Sequence, residues 1–175
     1  MPMNILVSAC LLGLACRYDG SAKEYPAVLA LAENHTLIPF CPEIYGGLST
    51  PREPCEIIDG RVRSQSGVDV TPQFEKGAQE ALRLAAALQC KCALLQDRSP
   101  SCGVGIIHDG TFTGGLVQGD GLTARLLMEN NLRVLPATRA AELAKCQCPS
   151  NCRRHGDCIA CREHHRDGAP SYCQR

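Results

Sequence analysis

Cysteine is the residue type that stands out in this chain, because thirteen of its 175 residues are cysteines. Thiols at this density either pair as disulfides in an oxidising compartment or bind metal and do chemistry in a reducing one. The N-terminal stretch MPMNILVSACLLG has no basic leader and is typical of a first strand, so we expect a cytoplasmic protein. The cysteines are therefore expected to act as metal ligands or reactive groups.

Three of these cysteines lie in segments rich in Gly, Pro and charged residues, and each segment follows a short apolar run. The segments are SACLLGLACRYDG (8–20), CPEIYGGLSTPREPCE (41–56) and DRSPSCG (97–103). If the apolar runs are parallel strands, Cys10, Cys41 and Cys102 meet at one edge of the sheet. Three thiolates from three loops can hold an iron-sulfur cluster, and an iron without a protein ligand can accept an exogenous one. The spacing therefore predicts an open cluster site.

Polar residues next to these cysteines have the chemistry of a proton-transferring site. Glu43 is the candidate for proton relay, and Ser99 and Ser101 are candidate hydrogen-bond donors. The simpler alternatives are that Glu43 pairs with Arg52 at the surface and that the serines are turn residues around a proline.

The other cysteines of the first 143 residues carry a weaker signal. Cys16 could be a fourth ligand that closes the cluster, although we expect it to lie nearby without binding iron. Cys55, Cys90 and Cys92 are expected to be small buried hydrophobic residues, the commonest state of a free cysteine.

The elements that must position these loops follow from the apolar pattern. Four runs rich in aliphatic residues predict buried strands, and three segments with helical spacing lie between them. The strands are NILVSAC, HTLIPFC, CKCALLQ and NLRVLP, and the helices are YPAVLALAENH, TPQFEKGAQEALRLAAALQC and LTARLLMENN. Long loops are expected after the second and third strands. This alternation predicts an α/β domain, a three-layer Rossmann-like or flavodoxin-like parallel sheet covered by helices on both faces.

Charge and hydropathy exclude several classes of protein. No apolar run reaches the roughly 20 residues that a membrane helix needs. The formal net charge is zero, which argues against a large basic surface for duplex nucleic acid. A small molecule is therefore the expected partner, and the oligomeric state is left open.

The C-terminal part differs in composition, which predicts an α/β domain over 1–143 and a cysteine-rich module over 144–175. This module lacks the aliphatic residues of a core and needs bound metal to fold. A structural zinc site is favoured, with a second iron-sulfur cluster or a disordered tail as alternatives. Its candidate ligands are Cys146, Cys148, Cys152, Cys158, Cys161 and Cys173.

Three groups of motifs resemble those of the thiouracil desulfidase family. They are SACLLG with RYDG, CPE with GGL and PR, and RSPSCG with a later TARLL. This resemblance implies a 4Fe-4S cluster held by Cys10, Cys41 and Cys102, with an open iron that binds the substrate sulfur. It also implies a redox-neutral, hydrolytic desulfuration of 2- or 4-thiouracil to uracil and sulfide, with Glu43, Ser101 and Ser99 as catalytic residues.

Two rival functions come from other classes of protein. Exposed thiols could make the chain a non-enzymatic carrier of iron-sulfur clusters, metal or sulfur. Alternatively, the basic cysteine-rich module could dock the chain on thiolated tRNA.

Overall fold

The computed structural model describes residues 2–144, which are arranged around a four-stranded parallel sheet. In chain order the elements are β1 (Asn4–Ser8), α1 (Pro26–Leu29), β2 (Thr36–Phe40), α2 (Pro42–Tyr45), β3 (Cys55–Ile58), β4 (Arg61–Ser64), α3 (Thr71–Ala87), β5 (Cys92–Leu95), β6 (Ile106–His108), β7 (Leu116–Gln118), α4 (Leu122–Glu129), β8 (Arg133–Pro136) and α5 (Ala141–Ala144). The sheet has the order β2-β1-β5-β8.

The four sheet strands coincide with the four predicted apolar runs. All their neighbours pair in parallel, and at the centre Leu6 of β1 lies between Ile38 and Ala93. Every residue of β5 is buried, as expected for a parallel sheet with both faces covered. If only the four parallel strands are numbered in chain order, the order in the sheet is 2-1-3-4. The second strand lies on one side of β1 and the third on the other side. At such a reversal of strand order α/β proteins bind ligands.

Helices pack on both faces of the sheet, which confirms the three-layer α/β architecture. One core contains Ile5 of β1 together with Val28 of α1 and Leu143 of α5. The other contains Leu6 of β1, and α3 and α4 pack there through residues such as Leu127. Alternate residues of β1 therefore serve opposite cores, as strand geometry requires.

Two parts of the fold differ from the sequence expectation. The predicted helix YPAVLALAENH is a single turn, α1, followed by a 3-10 turn at Ala30–Glu33, because a segment this short gains little helical stability by itself. The predicted long loops contain two antiparallel pairs, β3–β4 and β6–β7. The first turns at Asp59-Gly60, whose φ values of 48° and 77° suit a two-residue hairpin turn.

The cysteine-rich segment lies outside the described residues, so its metal ligands and the domain boundary near residue 143 stay predictions. Among the helices of the described part, none has both the length and the apolar character needed to cross a membrane.

Candidate active site

A cavity of about 460 Å³ opens beyond the carboxyl ends of β1, β2 and β5. We call one side of it the thiol wall, formed by Ser8, Ala9, Cys10, Cys16, Cys41, Pro42, Glu43, Gln96, Asp97, Arg98, Ser99, Pro100 and Cys102. We call the other side the hairpin wall, formed by Cys55, Glu56, Gln65, His108, Phe112 and Gly114. Arg17, Tyr18, Lys23, Phe40, Arg52 and Pro54 complete the lining.

The structure brings the three predicted cluster ligands to this one cavity. Cys10 lies in the 3-10 turn that follows β1, Cys41 directly follows β2 and caps α2, and Cys102 lies in the loop after β5. Cys10 and Cys102 are buried, and Cys41 is half-buried. Because each thiol follows a different strand of one parallel sheet, the convergence is a direct result of the sheet topology.

Cys16 is a fourth buried thiol of the thiol wall. Its carbonyl oxygen accepts a hydrogen bond from the Cys41 Sγ at 3.8 Å. Hydrogen bonding to the Cys10 thiol raises the pKa of Cys16 to about 11. Cys16 is thus placed between two of the predicted ligands, which sequence spacing alone does not reveal.

Two of the predicted ligands, Cys41 and Cys102, have thiols whose pKa is raised. Burial raises the pKa of Cys102 to about 12, against a smaller opposite effect of the Ser8 and Ser101 hydroxyls. Hydrogen bonding to Cys16, together with burial, raises the pKa of Cys41 well above its ordinary value. A bound iron-sulfur cluster would supply positive charge and favour the deprotonated thiols.

The chemistry of these donors fits an iron-sulfur cluster, because Cys thiolate is the usual ligand of its irons. Within residues 2–144, no three His, Cys, Asp or Glu side chains are grouped as ligands of one metal ion. The donor set, its burial and the size of the cavity all suit such a cluster.

Glu43 forms a largely buried ion pair inside the cavity. Arg52 Nε donates to Glu43 Oε2 at 2.8 Å, a terminal nitrogen of Arg52 also lies 2.8 Å from that oxygen, and the side chains of Arg52 and Glu43 are only 7% and 15% exposed. The other terminal nitrogen of Arg52 donates to Ser49 O, and Arg52 also donates to Cys16 O at 3.2 Å. The pairing of Glu43 with Arg52, the simpler alternative from the sequence, is therefore present, but it lies in the cavity rather than at the surface.

The two candidate serines occupy different positions. Ser99 lines the cavity, where its Oγ donates to Glu43 Oε1 at 3.5 Å and accepts from the Cys102 amide at 3.1 Å. Ser101 is fully buried outside the lining, and its Oγ shares a hydrogen bond of 2.9 Å with Thr123 of α4. Ser99 thus contacts the Glu43 carboxylate directly, whereas Ser101 holds the Cys102 loop against α4.

The hairpin wall contains residues that the sequence does not assign to the site. Cys55 lines the cavity although its sequence context predicts a simple core residue, whereas Cys90 and Cys92 stay outside the lining. His108 and Phe112 reach the cavity from β6 and the loop after it. The Asp-Gly turn signal could have located β3–β4, but no local signal marks the residues of β6–β7.

Two of the comparisons with known proteins point to thiouracil desulfuration. A family model described as 2-thiouracil desulfurase matches residues 5–138. The chain is 40% identical over 141 residues to the uncharacterized protein YbbK of Bacillus subtilis (strain 168), covering 75% of this chain and 93% of that protein. It is also similar to a solved structure described as the 4Fe-4S-dependent thiouracil desulfidase TudS, with a TM-score of 0.73 and 41% identity over 81% of this chain and 95% of that one.

Proposed function

Because the chain belongs to the 2-thiouracil desulfurase family, we propose that it converts a thiolated pyrimidine, 2- or 4-thiouracil, to uracil and sulfide. Water supplies the oxygen that replaces sulfur, and the sulfur leaves as sulfide with the two protons of that water. No electron is gained or lost in this exchange. The chain is therefore an enzyme that cleaves a C–S bond without a redox partner.

The cofactor of this reaction is a 4Fe-4S cluster held by Cys10, Cys41 and Cys102. Support comes from the presence of these three thiols, each buried or half-buried, on one cavity and from the cluster dependence of TudS, with which the chain shares 41% identity. With only three thiolate ligands, the cluster supplies one iron that can act as a Lewis acid towards sulfur.

Glu43 is the proton-transfer residue of the site. Its Oε2 is held by Arg52, which leaves Oε1, contacted by Ser99 at 3.5 Å, as the oxygen that can take a proton from water. A water deprotonated in this way attacks the thiocarbonyl carbon, and the proton is then available to the leaving sulfur. Ser99 orients the carboxylate, and Ser101 keeps the Cys102 loop in place.

The observation that carries the proposal is the juxtaposition of three thiols, two of them buried and one half-buried, with a largely buried Glu–Arg pair in one cavity. Either feature alone has a structural explanation, since free cysteines are often core residues and ion pairs are common. A carboxylate held beside thiols that face a cavity is the arrangement that metal-assisted hydrolysis requires.

The test is an anaerobic assay of the reconstituted protein with 2-thiouracil and 4-thiouracil as free bases. Cys102→Ala is expected to lose the brown chromophore and the release of sulfide together. Cys90→Ala is the matched control, because Cys90 is also buried but does not line the cavity. Sulfide release by Cys102→Ala without bound iron would contradict the proposal.

A non-enzymatic carrier of clusters is the second candidate, because Cys16 supplies a fourth buried thiol on the same wall. Four thiolate ligands would leave no iron open to substrate. In that case the wild type would release no sulfide but would transfer its cluster to an acceptor protein, and Cys16→Ala would transfer it faster. Sulfide release is also measured on a series of substrates from the free base to thiolated tRNA. Release from tRNA alone would indicate a factor that acts on RNA instead of either candidate.

A further inference from the structure

The hairpin wall presents two side chains to the cavity that the proposed reaction does not use, His108 and Phe112. From their place in the lining of the cavity we infer that they form the subsite that recognises the pyrimidine base, with Phe112 stacking on the ring and the His108 imidazole hydrogen-bonding to its edge. This inference rests on the proposed function, since it names the residues that hold the substrate of that same cavity.

His108 has a buried polar atom that lacks a partner. The imidazole is half-buried and lines the cavity, and its Nδ1 finds no hydrogen-bond partner among residues 2–144. This nitrogen has less than 1 Å² of accessible surface, so it reaches a ligand in the cavity only when the imidazole turns. A buried nitrogen without a partner is unfavourable, and a ligand that offers a ring N–H or a carbonyl to the turned ring would remove that cost.

The backbone of β6 fixes His108 relative to the thiol wall. Ile107 pairs with Arg98 in a parallel bridge, and the His108 amide donates to Arg98 O at 3.4 Å. Arg98 directly precedes Ser99, whose side chain contacts Glu43. A base bound to His108 would therefore be held at a fixed position relative to Ser99 and Glu43.

Phe112 is held in a backbone conformation that aromatic residues rarely adopt. Its φ is +56°, in the left-handed region. The Phe112 amide donates to Glu56 Oε2 at 3.1 Å, and Glu56 is only 7% exposed. Strain of this kind persists where surrounding groups impose it, and it is concentrated at ligand sites.

The chemistry of the two side chains matches a neutral pyrimidine. Such a base has a flat face that stacks on an aromatic ring and an edge that alternates N–H and carbonyl groups. Phe112 supplies the ring and His108 the in-plane partner, so the two residues recognise both features at once. Tyr18 also lines the cavity, but its side chain is 42% exposed and lies beside the Arg17 guanidinium.

The first test compares two substitutions of His108 in the cluster-loaded protein. His108→Phe keeps a ring but removes the nitrogen, whereas His108→Asn keeps a polar atom near the position of Nδ1. We expect His108→Phe to raise both the Kd of uracil, measured by calorimetry, and the KM of thiouracil roughly tenfold. We expect kcat to change little, and His108→Asn to behave like the wild type.

The second test compares Phe112→Leu with Phe112→Tyr. Loss of the aromatic face in Phe112→Leu should weaken uracil binding roughly tenfold, whereas Phe112→Tyr should retain it. Ile106→Ala is the control for both residues, because Ile106 lies on the same strand pair but is 49% exposed and outside the lining. Cluster absorbance per chain should equal that of the wild type in every variant.

The outcomes separate this inference from the proposed function. Active variants with unchanged KM and unchanged uracil affinity would overturn the base subsite while the desulfuration stands. A wild type that binds uracil through His108 but releases no sulfide would support the subsite and reject the reaction. A wild type that binds neither uracil nor thiouracil, or a His108→Asn variant as weak as His108→Phe, would also overturn the inference.

Discussion

The thiol wall lies at the carboxyl ends of three strands of the parallel sheet, of which β1 and β5 are almost entirely buried. The hairpin wall belongs to two short antiparallel pairs, β3–β4 and β6–β7. Every residue of β5 is buried, and every residue of β7 is exposed. The groups proposed for cluster binding and proton transfer are thus fixed by the core of the protein, and those proposed for base recognition are fixed by local contacts. We therefore expect substitutions in the hairpin wall to change substrate binding more than cluster binding.

The largest expected effect is that of removing the Glu43 charge from the thiol wall. Glu43→Gln should lower kcat by roughly 10²–10³-fold, because general acid–base groups contribute on that order. Cluster absorbance should be retained, since no thiol is changed. The measurement is steady-state sulfide release, made well below the Tm of the variant because Arg52 loses its counter-charge.

Glu53→Gln is the matched control for that measurement. Glu53 lies next to Arg52 in sequence, and its carboxylate accepts hydrogen bonds from Ser66 N at 3.1 Å and from Ser66 Oγ at 2.6 Å. It does not line the cavity. A Glu43→Gln variant as active as Glu53→Gln would show that the proton is transferred by another group.

A second test displaces the thiol wall without changing any of its residues. A Cβ added at Gly77 of α3 would overlap the backbone carbonyl of Pro42, the residue after Cys41. Gly77→Ala should therefore lower the free energy of unfolding by up to about 3 kcal/mol and reduce the amount of cluster bound per chain. Thermal unfolding and iron analysis measure the two effects.

The control on the same helix is Gln79→Ala, because Gln79 is exposed. If Gly77→Ala bound a full cluster at wild-type stability, the position of Cys41 would not depend on the packing of α3 against α2.

A third test loosens the hairpin wall instead. Val62 of β4 is fully buried and packs with Phe74 of α3. Val62→Ala should lower the free energy of unfolding by about 2 kcal/mol and raise the KM for thiouracil, while the cluster content stays unchanged. Val68→Ala is the control, since Val68 is 59% exposed. Cluster loss in Val62→Ala would mean that the two walls are not independent.

The smallest expected effect is a difference in alkaline stability between a sheet cysteine and a hairpin cysteine. Burial raises the pKa of Cys92 on β5 to about 12 and that of Cys55 on β3 to about 11, from an ordinary value of 9.0. A thiol whose pKa is raised in the folded state stabilises the protein below pH 9 and loses that contribution as pH rises through the folded pKa.

The loss should therefore begin near pH 9 for both thiols and extend to higher pH for Cys92. Unfolding measured from pH 8 to 11 should show a shallower alkaline decline for Cys92→Ala than for the wild type, with a smaller change for Cys55→Ala. Equal slopes for all three proteins would show that these thiols do not ionise differently in the folded and unfolded states.

The sequence by itself determined the parallel sheet and the meeting of three cysteines at its edge. Four apolar runs are long enough to be recognised as strands, and residues that directly follow parallel strands meet at one edge whatever the details of packing. Cys10, Cys41 and Cys102 can therefore be grouped from the sequence alone, and the motifs around them indicate the family. The cysteines of the C-terminal segment stay a prediction.

Only the tertiary structure decided which other side chains reach the cavity. Ser99 and Ser101 are two residues apart, but one contacts Glu43 and the other packs against Thr123 of α4. His108 lies on β6 and Phe112 in the loop between β6 and β7, a short and mostly exposed strand pair whose local sequence does not indicate where it packs. The physical reason is that strand-end positions follow from local periodicity, whereas side-chain contacts across a cavity depend on how distant segments pack together.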